Sequence, residues 1–179
     1  LYNPDLRAVD LSNYQLRISG ANIPLTFRNR IIMGYGFFLL ATNDLAAGDA
    51  YWSGAKIGGG GGSAVQILDA SGKVIDAVAW SESGQGHDLY KEGNVIQVAF
   101  STNMAIERKA KYNSTTATMT TGSDSLAGNA FDSNNNSFDF VVNSVLNYQN
   151  SDSNYEIPYG ITNEDTLPPA GVNDLRSFV

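Results

Sequence analysis

The chain has 179 residues, of which 42% are hydrophobic and 16% charged, and its formal net charge is −7. This composition predicts one globular domain with a sizeable core and excludes a disordered protein. The acidic balance and the scattered Lys and Arg argue against a nucleic-acid-binding surface, which requires clustered basic residues. The absence of Cys excludes disulfides, thiolate metal sites and thiol nucleophiles. No apolar stretch of the sequence approaches the roughly 18 to 20 residues that cross a bilayer.

Short apolar runs separated by Gly, Asn, Asp and Ser predict an all-β fold. In residues 9–18 the hydrophobic alternation shifts phase at Asn13, which indicates a bulge or a bend in the first strand region. The continuous apolar run 37–41 fits a strand buried on both faces. Residues 64–69 and 73–80 flank an Asp-x-x-Gly turn and predict a β-hairpin. Further short strands are expected at 96–100, 105–110 and 138–142.

The polar segments between these runs predict loops and a linker. Residues 112–129 are rich in Ser, Thr and Gly and predict a surface loop, the segment expected to be least ordered. Five glycines at 58–62 precede a strand rather than a helix, which favours a flexible connection over a phosphate-binding loop. We expect a β-sandwich over residues 1–150, an acidic, proline-containing linker over 151–171 and the start of a following β-module over 172–179.

The most informative feature is the Asn-rich run, residues 132–139, with the sequence Asp-Ser-Asn-Asn-Asn-Ser-Phe-Asp. Asp132, Asn134, Asn136 and Asp139 occupy positions one, three, five and eight, a spacing that can wrap Ca²⁺ in carboxylate and amide oxygens. The run lacks a strong final Glu, so any affinity is expected to be roughly millimolar. The same side chains also build Asx turns that order the entry to a strand. Both interpretations, a calcium loop and a turn, follow from this pattern.

Other candidate sites are sparse. His87 is the only histidine and no Gly-x-Ser-x-Gly nucleophile elbow occurs, which argues against a catalytic triad. Tyr51 and Trp52 are expected in a loop, where they could form an aromatic platform for a sugar, although aromatic residues beside strands also form cores. Arg108 lies on a predicted strand and is a candidate partner for Asp76 or Asp139.

Several of these segments, in this order, resemble the lamin tail domain family, and the similarity is greatest to its exported bacterial and archaeal members. The segments are Leu1-Tyr2-Asn3-Pro4, Val9-Asp10-Leu11-Ser12, residues 36–42, residues 65–78, Ile106-Glu107-Arg108 and the Asn-rich run ending in Asp139-Phe140. The resemblance implies an immunoglobulin-like β-sandwich with long surface loops over residues 1–150. It also implies an accessory module of a multidomain protein, in some cases beside nucleases or adhesin-like repeats. The insertion at 112–129 and the glycine run are longer than the family pattern, and the start of the first strand is missing.

The resemblance and the composition together predict a non-catalytic β-sandwich module of a prokaryotic cell-surface or secreted protein, acting in structural assembly, spacing or adhesion. The alternatives are a module that binds a carbohydrate or surface polymer through Tyr51 and Trp52, and an accessory domain of an exported hydrolase or nuclease. The expected partners are neighbouring β-domains of the same polypeptide, or copies of the chain that pair through sheet edges. Ca²⁺ is the one cofactor that the sequence suggests.

Overall fold

A computed structural model of the chain describes residues 1–42, 46–53, 57, 61–101 and 103–161. The predicted module at 172–179, the end of the linker and part of the glycine run lie outside the described residues. The fold is β-rich, as the sequence predicts, with two short helices among the described residues. The strands are β1 (Val9–Asp10), β2 (Gln15–Ile18), β3 (Ala21–Ile23), β4 (Thr26–Phe27), β5 (Ile31–Ile32), β6 (Leu40–Thr42), β7 (Ala50–Trp52), β8 (Ser63–Leu68), β9 (Val74–Ser81), β10 (Ile96–Gln97), β11 (Ala105–Arg108) and β12 (Phe140–Asn143), and the helices are α1 (Thr116–Thr120) and α2 (Asn136–Asp139).

The largest sheet has five strands in the order β10-β9-β8-β2-β3, and the hairpin β8–β9 lies at its centre. The antiparallel register pairs Val65 with Val78 and confirms the hairpin that the sequence predicts. The turn is closed by the Asp69 carboxylate, which accepts hydrogen bonds from the backbone N–H groups of Ser71 and Lys73. Gly72 follows with φ +83°, a left-handed conformation that glycine adopts without strain.

Three smaller sheets complete the fold: β4-β7-β6, the pair β1–β5 and the pair β11–β12. The phase shift at Asn13 marks the point where the chain leaves β1 and enters β2 in the five-stranded sheet. Trp52 of β7 packs against Leu16 and Ile18 of β2, while Ile106 and Phe140 of β11 and β12 pack against the cluster around Trp80. The five-stranded sheet therefore buries one face against β6–β7 and against β11–β12, and the clusters around Leu16 and Trp80 lie in these contacts.

The segment 112–129 is more ordered than its composition predicts. Helix α1 begins with a capping box, in which Thr115 and Thr118 exchange hydrogen bonds between side chain and backbone. Met119 and Asp124 are buried. The Asp124 carboxylate accepts a hydrogen bond from the Ser114 hydroxyl and forms an ion pair with Lys111 at 2.8 Å. The expectation of a poorly ordered loop fails because these internal bonds replace the hydrophobic contacts that the segment lacks.

The structure also moves the expected boundary of the linker. The Ser151 backbone N–H donates to the Asp49 carboxylate at 2.9 Å, and the Glu156 N–H donates to the Tyr35 carbonyl at 2.9 Å. Gly128 and Pro158 form a β-bridge. Residues 151–158, which the sequence assigns to a linker, are therefore attached to the body of the domain.

Candidate functional site

The Asn-rich run folds into a turn that leads through α2 into β12. The Asp132 carboxylate accepts the Asn134 N–H at 2.9 Å, an Asx turn, and Asn134 itself has a positive φ of 56°. The two oxygens of Asp139 accept the backbone N–H groups of Ser133 and Asn135, both at 3.0 Å, and the Ser133 hydroxyl at 2.6 Å. The Asp139 carboxylate is thus held inside the turn and used to close it.

Asn136 is fully buried and its side-chain amide pairs with the free edge of β9. Its Oδ1 accepts the Ala79 N–H at 3.0 Å, and its Nδ2 donates to the Ala77 carbonyl at 2.8 Å. The amide makes the two bonds that a neighbouring strand would otherwise make, because β10 covers only Trp80 and Ser81 at this edge. The Asn136 side chain therefore faces β9 and not a common point with the other predicted calcium ligands.

The loop before β10 packs closely on the same run. The Asn136 N–H donates to the Glu92 carbonyl at 2.9 Å, and the Glu92 N–H donates back to Asn136 Oδ1 at 3.3 Å. At Gly93, which has φ +55°, an added Cβ would lie 2.7 Å from Cγ of Asn135. The glycine is needed at this position because of both its backbone conformation and this close approach.

Arg108 supplies the positive charge of the cluster. Its Nη2 lies 2.5 Å from Oδ1 of Asp76, and its Nη1 lies 3.6 Å from Asp132 and 4.0 Å from Asp139. Nη1 also donates to the Phe131 carbonyl at 3.2 Å, and the guanidinium stacks over the Phe140 ring at 4.6 Å. Both partners proposed from the sequence, Asp76 and Asp139, are confirmed.

A third carboxylate joins Asp132 and Asp139 from a distant part of the chain. One oxygen each of Glu92, Asp132 and Asp139 lie within 4.8 Å of one another. Burial first, and then the negative charges of Asp76 and Asp132, raise the pKa of Glu92 to about 7, against the opposing charge of Arg108. Glu92 was missed in the sequence because no local pattern connects it to a run 40 residues away.

The geometry changes the calcium interpretation. Asp132 and Asp139 come together, but Asn136 is committed to β9 and the Asp139 oxygens already accept three hydrogen bonds. A Ca²⁺ ion takes 6–8 oxygen ligands. The free carboxylate oxygens of Glu92 and Asp132 supply only part of that shell, and Arg108 already provides a cation beside them. The cluster is built as an internal ion-pair network, while calcium binding stays a prediction.

Tyr51 and Trp52 do not lie in a loop, as the sequence suggested, but in strand β7. They are 6% and 8% exposed, respectively. The Tyr51 ring is covered by the Arg28 guanidinium at 4.6 Å, and Trp52 packs in the core cluster with Leu16. Trp52 fills space between β7 and β2, Tyr51 is covered on the opposite side of β7, and neither ring offers an open face on which a sugar could stack.

His87 lies in a turn with φ 58° before Tyr90, whose N–H donates to the His87 carbonyl. Within the described part of the chain, no serine or carboxylate is hydrogen-bonded to its imidazole.

Comparison with protein-family models, curated proteins and solved structures finds no match to this chain. Neither helix of the described residues has the length and hydrophobicity that crossing a membrane requires.

Proposed function

We propose that the chain is a non-catalytic, immunoglobulin-like β-sandwich module of the lamin-tail type, serving structural assembly, spacing or adhesion in a prokaryotic cell-surface or secreted protein. The observation that carries the proposal is that the Asn-rich run is bonded into the fold. Its buried groups, Asn136 and Asp139, are bonded to β9, to the turn backbone and to Arg108. The polar residues that would form an active or binding centre in an enzyme are here engaged in holding the fold together.

The packing of the layers supports the sandwich. The five-stranded sheet contacts β7 through Leu16 and Ile18, and contacts β11 and β12 through the Trp80 cluster. A second layer assembled from short strands on one face of a larger sheet is the arrangement that a β-sandwich requires.

Assembly through a sheet edge is supported by β9. Its partner β10 pairs with Trp80 and Ser81 only, and Asn136 covers Ala77 and Ala79. Ile75, at the bulge where the register with β8 shifts, is 50% exposed. Edge strands accept a strand from another chain unless a charge, a proline or a bulge blocks them. The Asp76 charge beside Ile75 is paired with Arg108 and the Ile75 side chain is apolar, so we infer that a second chain would pair at this end of β9 despite the bulge.

Sedimentation velocity over a broad range of protein concentration tests the assembly role. We expect the wild-type chain to form a dimer or larger species as its concentration rises, and Ile75→Lys to remain monomeric because it places a charge at the edge. Leu89→Lys is the matched control, since Leu89 is largely exposed and lies outside the sheets. A wild-type chain that stays monomeric at every concentration, or an Ile75→Lys variant that associates like Leu89→Lys, would contradict edge pairing.

A second candidate function, binding of a carbohydrate or surface polymer, is favoured by a different group of aromatic residues. Tyr112 is 74% exposed and packs edge-on against Phe131, with ring centroids 6.0 Å apart. Tyr159 is 63% exposed, and the Lys111 ammonium lies 4.3 Å from its ring centroid. Exposed tyrosines beside a cation provide flat apolar surface and hydrogen-bonding groups together.

A glycan array tests this candidate with the wild-type chain, a Tyr112→Ala, Tyr159→Ala double variant and a Tyr148→Ala control. Tyr148 is also largely exposed and lies in a different segment. Binding that the double variant loses and the control keeps would support the candidate. An array on which the wild-type chain binds no glycan would remove it.

A further inference from the structure

A large cavity, partly open to solvent, lies between the five-stranded sheet and the segments β1, β5, β11 and β12. Its volume is about 640 Å³. A cavity of this size falls within the range of roughly 300 to 1,000 Å³ that holds small-molecule ligands. Apolar side chains dominate its walls, among them Val9, Phe37, Val65, Ile67, Ile106 and Phe140.

One end of the cavity is polar and carries excess negative charge. Asp76 and Asp132 line it together with Arg108. The Arg108 guanidinium lies 2.5 Å from Asp76 and 3.6 Å from Asp132, and it also lies 4.0 Å from the buried Asp139, so one guanidinium faces three carboxylates. Burial raises the pKa of Asp76, and the Arg108 charge only opposes this effect. A second cation at this end would therefore be attracted, whereas a carboxylate or phosphate would be repelled.

Among the described residues, Arg108 is the only cationic side chain that lines the cavity. The side chains of Tyr2, Tyr14 and Tyr148 on the wall are neutral hydroxyl groups. The polar end therefore retains its negative character.

We propose that this cavity binds a single-chain amphiphile, whose apolar chain lies between the two layers and whose amine headgroup contacts Asp76 and Asp132. The apolar walls match the chain, and the uncompensated carboxylates match the amine. A second copy of this protein, which we propose to pair along the backbone edge of β9 at Ile75, is the less suitable occupant of the cavity itself, because each copy carries a formal charge of −7 and the polar end of the cavity is negative.

Competition with a neutral fluorescent probe tests the proposal on the full 179-residue chain. N-phenyl-1-naphthylamine becomes brighter in an apolar site, and dodecylamine, dodecanol and dodecanoate then compete below the concentrations at which they form micelles. We expect saturable probe binding and displacement by dodecylamine at a concentration about tenfold lower than dodecanoate requires, the factor that one favourable charge contact supplies. Dodecanol should lie between them. Absence of saturable probe binding, or equal displacement by the amine and the carboxylate, would overturn the proposal.

Two variants place the ligand in this cavity. Ala105→Phe fills part of the space from β11 and should abolish probe binding. Asp76→Asn keeps an oxygen for Arg108 but removes a charge, and should bring the affinities for dodecylamine and dodecanol closer together. Asp88→Asn, an exposed acidic position away from the cavity, is the control and should change neither.

The outcomes remain decisive if one variant is unstable. Should circular dichroism show that Ala105→Phe is unfolded, the headgroup preference of Asp76→Asn against Asp88→Asn decides the matter. Full probe binding by a folded Ala105→Phe variant would overturn the assignment of the site. An unchanged amine preference in Asp76→Asn would overturn the assignment of the headgroup. Probe binding that falls as the chain dimerises would show that a second copy occupies the cavity, and would overturn the proposal as well.

Discussion

Replacing Asn136 with Leu tests how much the Asn-rich run contributes to stability. Leu has the same branching as Asn but cannot bond, so it leaves the Ala79 N–H and the Ala77 carbonyl without their partner. Both residues are buried, with exposures of 0% and 3%. The two bonds, at 3.0 and 2.8 Å, have normal lengths.

The magnitude follows from these two groups. A buried backbone group left unsatisfied costs about 1–3 kcal/mol, so the loss of both partners in Asn136→Leu should lower the free energy of unfolding by about 2–6 kcal/mol. This is a large part of the about 5–15 kcal/mol that stabilises a typical domain. The longer bonds of the same amide to the Glu92 N–H at 3.3 Å and to the Glu92 carboxylate at 3.4 Å add a smaller amount.

Urea denaturation monitored by tryptophan fluorescence measures the change in the free energy of unfolding. The dependence of that free energy on urea concentration should be the same in the wild-type chain and the variant. Asn134→Gly is the matched control, because Asn134 belongs to the same run, has φ 56° and is exposed. Glycine adopts that conformation readily, so the control should be close to neutral. A loss of less than about 1 kcal/mol for Asn136→Leu would refute the pairing of its amide with β9.

Two further predictions concern titration. The raised pKa of Glu92 means that the folded state binds its proton more tightly than the unfolded chain, so stability should fall as the pH rises from about 4.5 to 7. One pKa unit corresponds to about 1.4 kcal/mol, and partial exposure of Glu92 should reduce the whole effect to about 1–2 kcal/mol. Urea titrations at several pH values measure how the free energy of unfolding changes with pH. Glu92→Gln should flatten this dependence, and an unchanged dependence would contradict the prediction. For Asp124 the sign is opposite, because its hydrogen bonds, that with Lys111 first, hold its pKa below the ordinary value. Its contribution is fully present above the ordinary pKa of 3.8 and shrinks as the pH falls below that value, so Asp124→Asn should destabilise the fold more at pH 7 than at pH 3, and an equal loss at both pH values would count against it.

Local patterns predicted the parts of the fold in which one short segment determines the structure. The hairpin β8–β9 has alternating apolar residues on both sides of a turn that Asp69 and Gly72 specify, and it forms as expected. The order in segment 112–129 was missed, since its stability comes from the buried Asp124 and its bonds to Lys111 and Ser114. Composition registers such residues as polar and cannot show that they face each other.

The sequence predicted those parts of the candidate site that depend on local patterns, and missed those that depend on contacts between distant residues. The run itself, its turn chemistry and the pairing of Arg108 with Asp76 are visible in residue types and strand order. The role of Asn136 depends on β9 being left uncovered by β10, and the approach of Glu92 depends on the loop before β10. Both are long-range placements, and no spacing within the run encodes them.

Amide hydrogen exchange at Ala79, measured in chelator and in about 10 mM Ca²⁺, tests the central claim most directly, since that concentration exceeds the roughly millimolar affinity of a weak extracellular site. If the run is a structural clamp, the Ala79 N–H is held by Asn136 and should exchange only through global unfolding, at the same rate in both solutions. Fast exchange in chelator that Ca²⁺ slows would contradict the claim, because it would show a loop that an ion must order.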